Sequence, residues 1–124
     1  MEKWIWIAVG AVLGAWSRAY AAQWVAARYT GDFPWGTFFI NLSGSFILGF
    51  FLTLHLERGW FPPQARYLVA VGWCASFTTF STFSYETFRL ITAGQGFLAT
   101  ANVLLSVVVC LGGTWAGVAA GRFI

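Results

Sequence analysis

The sequence predicts an all-α integral membrane protein, a single domain over residues 1–124 made of four transmembrane helices with almost no soluble part. Three observations carry this. The chain is 59% apolar and 9% charged, with a mean hydropathy of +0.71, whereas a soluble domain averages about 45–50% apolar and about 25% charged. Its few charges (Glu2, Lys3, Arg18, Arg28, Asp32, Glu57, Arg58, Arg66, Glu86, Arg89 and Arg122) are separated by long apolar runs. Those runs reach the roughly 20 residues that a helix needs to cross about 30 Å of hydrocarbon. The segments between them carry Gly, Pro and charge, as connectors do. A soluble chain with so few polar groups could not cover its own surface, but one whose surface faces lipid has no such need.

The first span is expected over Trp4–Ala27. Gly10 and Gly14 are four apart and Arg18 continues their face, a pattern that lets helix backbones approach closely in a bilayer. Ala19-Tyr20-Ala21 resembles a signal-peptide cleavage site, but Glu2 weakens the basic leader region and Arg18 sits just before the site. Arg28 to Pro34 forms the first connector. The second span, Trp35–Leu56, holds Thr37, Asn41, Ser43, Ser45 and Gly49, with His55 standing alone as an interfacial residue at its end. Glu57 to Gln64, with two prolines, forms the second connector.

The third span, Tyr67–Ile91, contains the unusual run Ser76-Phe77-Thr78-Thr79-Phe80-Ser81-Thr82-Phe83-Ser84. Hydroxyl side chains compete for backbone hydrogen bonds and loosen helices, so a break is expected here, and carbonyls freed at a break can bind a cation. After the turn Ala93 to Gly96, the fourth span, Phe97–Gly121, carries Asn102, Ser106, Cys110 and Thr114 as one polar stripe. It also carries Gly113, Gly117 and Gly121 at the close-packing spacing. Trp4, Trp6, Trp24, Trp35, Trp60 and Trp73 fall near span ends, as an aromatic belt does.

With four spans, Lys3, Arg58, Arg66 and Arg122 share one side of the membrane, and Arg28, Arg89 and an interfacial Arg18 share the other. The positive-inside rule then gives only a weak bias, which permits insertion both ways round and pairing of two inverted copies. Cys74 and Cys110 lie inside spans with no disulfide or metal spacing and read as inert thiols. No nucleophile–base pair, phosphate loop or basic nucleic-acid patch is present, so enzymatic and nucleic-acid functions are not expected.

Polar groups at membrane depth cost free energy and point to function. Phe80 and Phe83, three apart, share a face if their stretch is helical. An aromatic ring has a positive edge, so rings turned edge-on favour an anion without offering a full charge. Asn41 adds an amide donor, and the serines and threonines add hydroxyl donors. Paired phenylalanines also serve as plain packing, and hydroxyls in spans also bond to their own backbone. The combination suits a small, strongly hydrated anion that must exchange water for protein donors and still leave. Arg18 reads either as a residue snorkelling to the interface or as a positive charge in an entry vestibule. Glu86 reads as a structural partner of Arg89 or Arg18, or as a proton carrier.

Three segments carry a family resemblance. Gly14-Ala15-Trp16-Ser17-Arg18-Ala19-Tyr20, Gly36 to Phe46 with its Asn41-Leu42-Ser43-Gly44-Ser45 centre, and Thr78-Thr79-Phe80-Ser81-Thr82-Phe83-Ser84 resemble, in order, the helix signatures of the Fluc family of fluoride channels (CrcB-like proteins). The resemblance implies an inverted, dual-topology homodimer with two fluoride pores along the subunit interface. It implies that Phe80 and Phe83 present ring edges to fluoride, that Asn41 and Thr37 border the pore, and that Ser106 supplies a hydroxyl from the fourth helix. It places Arg18 in the first-helix motif. It further implies a structural sodium ion on the dimer axis, held by backbone carbonyls at Ala75 and Thr78. One departure stands out: the family usually has a glycine pair where this chain has Ala75-Ser76, and alanine lacks glycine's backbone freedom.

The function expected on these grounds is passive, selective fluoride export from the cytoplasm across the inner or plasma membrane. Two alternatives share the small four-span form. A proton-coupled multidrug exporter needs a membrane-buried carboxylate, for which Glu86 is the sole candidate within the spans. A non-transporting assembly subunit would use the same small-residue faces but leaves the hydroxyl-rich third span unexplained.

Overall fold

The computed structural model describes all of residues 1–124 and contains helices, turns and no strands. Helix α1 spans Glu2–Ala26 and α2 spans Trp35–Leu56. Helix α3 covers residues 63–77, opening on Pro63–Ala65, widening to π-helical winding over Arg66–Cys74 and closing on Ala75–Phe77. Helix α4 is Phe80–Thr92 and α5 is Gly96–Phe123. The connectors turn on Gly31, Gly59 and Gly94, whose φ angles of 107°, 65° and 76° side chains rarely adopt. Pro62, extended, and Pro63, in the first turn of α3, start that helix where a missing N–H costs nothing.

Helices α1, α2 and α5 are long and apolar enough to cross a membrane. The third expected span has the break anticipated in its hydroxyl-rich run, and differs from expectation only in where it starts. It begins at Pro63 rather than Tyr67 and is divided at Thr78–Thr79 into two helices, each shorter than the roughly 20 residues a crossing needs. The ends of the helices fix how the chain runs. Gln95 Nε2 donates to Asp32 Oδ2 at 2.7 Å, tying the α4–α5 turn to the α1–α2 connector. At the opposite end Arg122 meets Glu57 at 2.7 Å, the molecule's one ion pair, while an Arg58 N–H donates to the Arg122 carbonyl. The broken pair α3–α4 therefore carries the chain back along the full length of α2. Hydrogen bonding to Arg122 holds the Glu57 carboxyl below its ordinary value. The tie is thus complete at neutral pH and is lost as pH falls through that lowered value.

Packing is built on two glycine seams. Helix α1 lies along α3, and α2 lies along α5. In the first seam a Cβ at Gly10 would overlap the Leu68 carbonyl oxygen, and one at Gly72 would stand 2.7 Å from the Ile7 carbonyl oxygen. In the second, a Cβ at Gly49 would stand 2.5 Å from the Thr114 carbonyl oxygen, and one at Gly117 would overlap that of Phe46. Backbone meets backbone in both, as the spacing of Gly10/Gly14 and Gly113/Gly117/Gly121 predicts.

Just 22 of 124 residues are buried, so the outer surface is the apolar one: Trp16, Leu104, Val108 and Leu111 all point outward. The chain is a multi-pass membrane protein. At the end of α2 the His55 ring stacks on Phe51 at 5.7 Å and its Nδ1 is buried without a partner.

Gly49→Leu should force the α2–α5 seam apart and cost about 1–3 kcal/mol, the usual price of overpacking. Gly112→Ala, with nothing within 4 Å of the new Cβ, should leave stability unchanged. Thermal unfolding of the two variants in detergent checks both outcomes.

Candidate functional site

The site grows from the break between α3 and α4. Thr78 and Thr79 are extended, with φ/ψ of −79°/159° and −152°/118°. In an unbroken helix the Thr79 N–H would donate to the Ala75 carbonyl. Here it donates to Asn41 Oδ1 at 2.8 Å, and Asn41 Nδ2 donates back to the Thr79 carbonyl at 3.0 Å. Asn41 thus holds both polar groups of Thr79 from the middle of α2. One turn later the substitution recurs: the Thr82 N–H, which would otherwise reach the Thr78 carbonyl, donates to Thr79 Oγ1 at 3.2 Å. Thr79 is therefore a threonine N-cap of α4. Its hydroxyl also donates to Thr82 Oγ1 at 3.1 Å.

These exchanges strip the Ala75 and Thr78 carbonyls of their regular helical donors. Both are the carbonyls at which the family resemblance implies a cation. Gly44 lets the break sit close to α2, since a Cβ there would overlap the Thr78 methyl.

Beside the break runs a groove of about 290 Å³ bordered by Asn41, Ser45, Thr79, Phe80, Phe83 and Ser106. The structure thus gathers Asn41, Phe80, Phe83 and Ser106 around one space. Phe80 and Phe83 lie on one face of α4, ring centroids 5.6 Å apart and planes at 48°. Phe83 is half-buried, whereas Phe80 is 79% exposed and has no cover within the chain. Both cysteines, Cys74 and Cys110, also border the groove.

Thr37 and Glu86 lie in a separate, wider cleft of about 530 Å³ toward the α1–α2 connector, with Thr82 and Arg89. The Thr37 hydroxyl donates to Glu86 Oε1 at 2.5 Å. Glu86 forms no ion pair with Arg89 or Arg18, so its partner is a hydroxyl rather than the arginine expected. Arg18, half-buried on α1, borders neither space.

Three residues outside the predicted set shape the site: Thr79, Thr87 and Asn102. Asn102 is 1% exposed and donates from Nδ2 to Thr87 Oγ1 at 2.9 Å. The polar stripe on the fourth span signalled Asn102, but no spacing in the sequence pairs it with Thr87.

A family model described as "CrcB-like protein, Camphor Resistance (CrcB)" matches residues 5–118, spanning every element just described. The chain belongs to the CrcB-like family. Its relatives include proteins named "Fluoride-specific ion channel FluC". That of Geotalea daltonii is 43% identical over 124 residues, covering 100% of both chains. That of Geotalea uraniireducens is 44% identical over 118 residues, 95% of each. That of Geobacter sulfurreducens is 43% identical over 116 residues, 94% of each. In this CrcB-like chain the matched range includes Gly10, Gly49, Gly72 and Gly117 of the seams and the Thr78–Thr79 break.

Asn41→Leu, close in shape but unable to bond, should leave the Thr79 peptide unpaired or drive it to rejoin the α3 ladder. The expected cost is about 1–3 kcal/mol of stability. Hydrogen exchange at the Thr79 amide checks the assignment, since the amide should exchange faster or the helix should become continuous through Thr78.

Proposed function

We propose that this chain is a fluoride-selective passive ion channel that exports fluoride from the cytoplasm through the inner or plasma membrane. It is a transport protein and not an enzyme. The observation that carries the reading is the groove beside the α3–α4 break, where two phenylalanine rings stand with Asn41 and Ser106. The names of the relatives agree with it.

A fluoride ion entering such a groove exchanges water for weak, partly positive partners: ring edges of Phe80 and Phe83 and the hydroxyl of Ser106. None is a full charge, so the ion is stabilised without being trapped. The Asn41 amide acts mainly by holding the Thr79 peptide, with its second Nδ2 hydrogen left for the groove. Thr37, already hydrogen-bonded to Glu86, borders the wider cleft that leads toward the same end of the helices. Glu86 is a structural acceptor there. Arg18, which borders neither space of its own chain, is read as a residue snorkelling to the interface.

The working unit is an antiparallel homodimer in which each copy is a single four-span domain, with α3 and α4 together forming the third crossing. Two features support this. The exposed Phe80 ring and the open groove lack a covering surface within one chain, and the near-balanced placement of Lys and Arg permits both orientations. A sodium ion on the dimer axis fits the Ala75 and Thr78 carbonyls, which have lost their helical donors to Asn41 and Thr79. Bound there, it would neutralise the carbonyl dipoles at the break.

Purified protein in liposomes should release fluoride rapidly and chloride hardly at all, as followed with ion-selective electrodes. Phe80→Ile and Phe83→Ile should each lower fluoride flux by roughly tenfold or more, about 1.4 kcal/mol in barrier. Unchanged fluoride flux in the double variant would remove the rings from the path.

A further inference from the structure

Asn102 is the one large side chain in the molecule that is fully enclosed. It belongs to a polar chain whose direction the chemistry dictates. The Thr87 hydroxyl donates to the Phe83 carbonyl at 2.8 Å, a group that can only accept. The Thr87 proton is thereby spent, so its oxygen accepts from Asn102 Nδ2 at 2.9 Å. That fixes the orientation of the Asn102 amide and turns Oδ1 toward Ser106, whose hydroxyl donates to it at 3.3 Å. The sequence of donors runs from Ser106 through Asn102 and Thr87 to the backbone of Phe83. Its first and last members, Ser106 and Phe83, both border the groove.

The two ends of the chain differ in strength. The bonds at 2.8 and 2.9 Å are of ordinary length, whereas 3.3 Å is long for a hydroxyl donor. The Ser106 proton is therefore held loosely, on a carboxamide that is itself held firmly. An anion in the groove is a stronger acceptor than an amide oxygen, because charge-assisted hydrogen bonds are roughly twice as strong as neutral ones.

Resting on the channel reading above, we infer that Asn102 is a positioning residue for conduction: it holds the Ser106 proton when the groove is empty and yields it to the anion on arrival. The serine then keeps one orientation from which it can turn to the ion. Without Asn102 the hydroxyl is free to bond back to its own helix, as serines in spans do, and is lost to the groove. A buried amide that merely glues α4 to α5 would behave differently, since its removal would weaken the protein without regard to Ser106.

The test is a double-mutant cycle on fluoride efflux from liposomes, using Asn102→Leu, Ser106→Ala and the pair. Each single variant should lower flux on the order of fivefold, the scale of one hydrogen bond. The double variant should be no slower than either single one. Reductions that multiply, or an Asn102→Leu variant as fast as the unaltered chain, would overturn the assignment. If Asn102→Leu fails to assemble, Thr87→Val and Thr87→Ser replace it. Valine removes the anchor of the Asn102 amide and should lower flux in the same non-multiplying way with Ser106→Ala, while serine keeps the hydroxyl and should conduct normally. Equal flux in both would likewise overturn the role. No fluoride flux from the unaltered protein would instead defeat the channel reading itself.

Discussion

A peptide group inside a bilayer must find a partner within the protein, because no water is there to supply one. Everything particular to this molecule follows from how that constraint is met at Thr78–Thr79. The hydroxyl-rich run breaks at these two residues, which adopt extended geometry. Asn41 then reaches across from α2 and takes both the N–H and the carbonyl of Thr79. A side-chain amide reproduces the donor and acceptor of a peptide, so the Thr79 peptide is satisfied without water. The helix restarts with Thr79 as its own cap, which turns Phe80 and Phe83 toward a common space.

The surroundings accommodate this arrangement. Gly44 leaves room for the Thr78 methyl against α2. The two glycine seams lock α1 to α3 and α2 to α5 by direct backbone contact, so both strongly packed pairs lie outside α4. The ties at the helix ends, Asp32 with Gln95 and Glu57 with Arg122, fix the lengthwise register of α2 against α5. Together they give a rigid frame around a groove whose lining is partly aromatic and partly hydroxylic.

Much of this was legible from residue types and spacing. The apolar runs gave α1, α2 and α5 within a few residues, and the glycines four apart gave the seams. The Ser/Thr/Phe run announced a break, because hydroxyls near the backbone have a local effect that sequence displays directly. Partnerships between helices were less accessible. Asn41 read as an anion donor, and its capture of the Thr79 peptide depends on how α2 lies against the break. Glu86 read as the partner of an arginine, yet its neighbour across the cleft is the Thr37 hydroxyl, 49 positions away. Asn102 stood out by its period-four stripe, while its bond to Thr87 requires the rotation of α5 relative to α4, which no one-dimensional pattern encodes.

Helix α4 touches the rest of the molecule sparingly compared with the seams. Its side-chain ties to the neighbouring helices are three: Asn41 at its start, and Thr37 to Glu86 and Asn102 to Thr87 near its middle. It resembles a beam hung from adjustable brackets inside a welded frame. A change at one of these brackets would act on the aromatic lining first, because the glycine seams lie outside α4. Sequences built on this plan can therefore retune the groove through these few polar ties while the two glycine seams keep their packing.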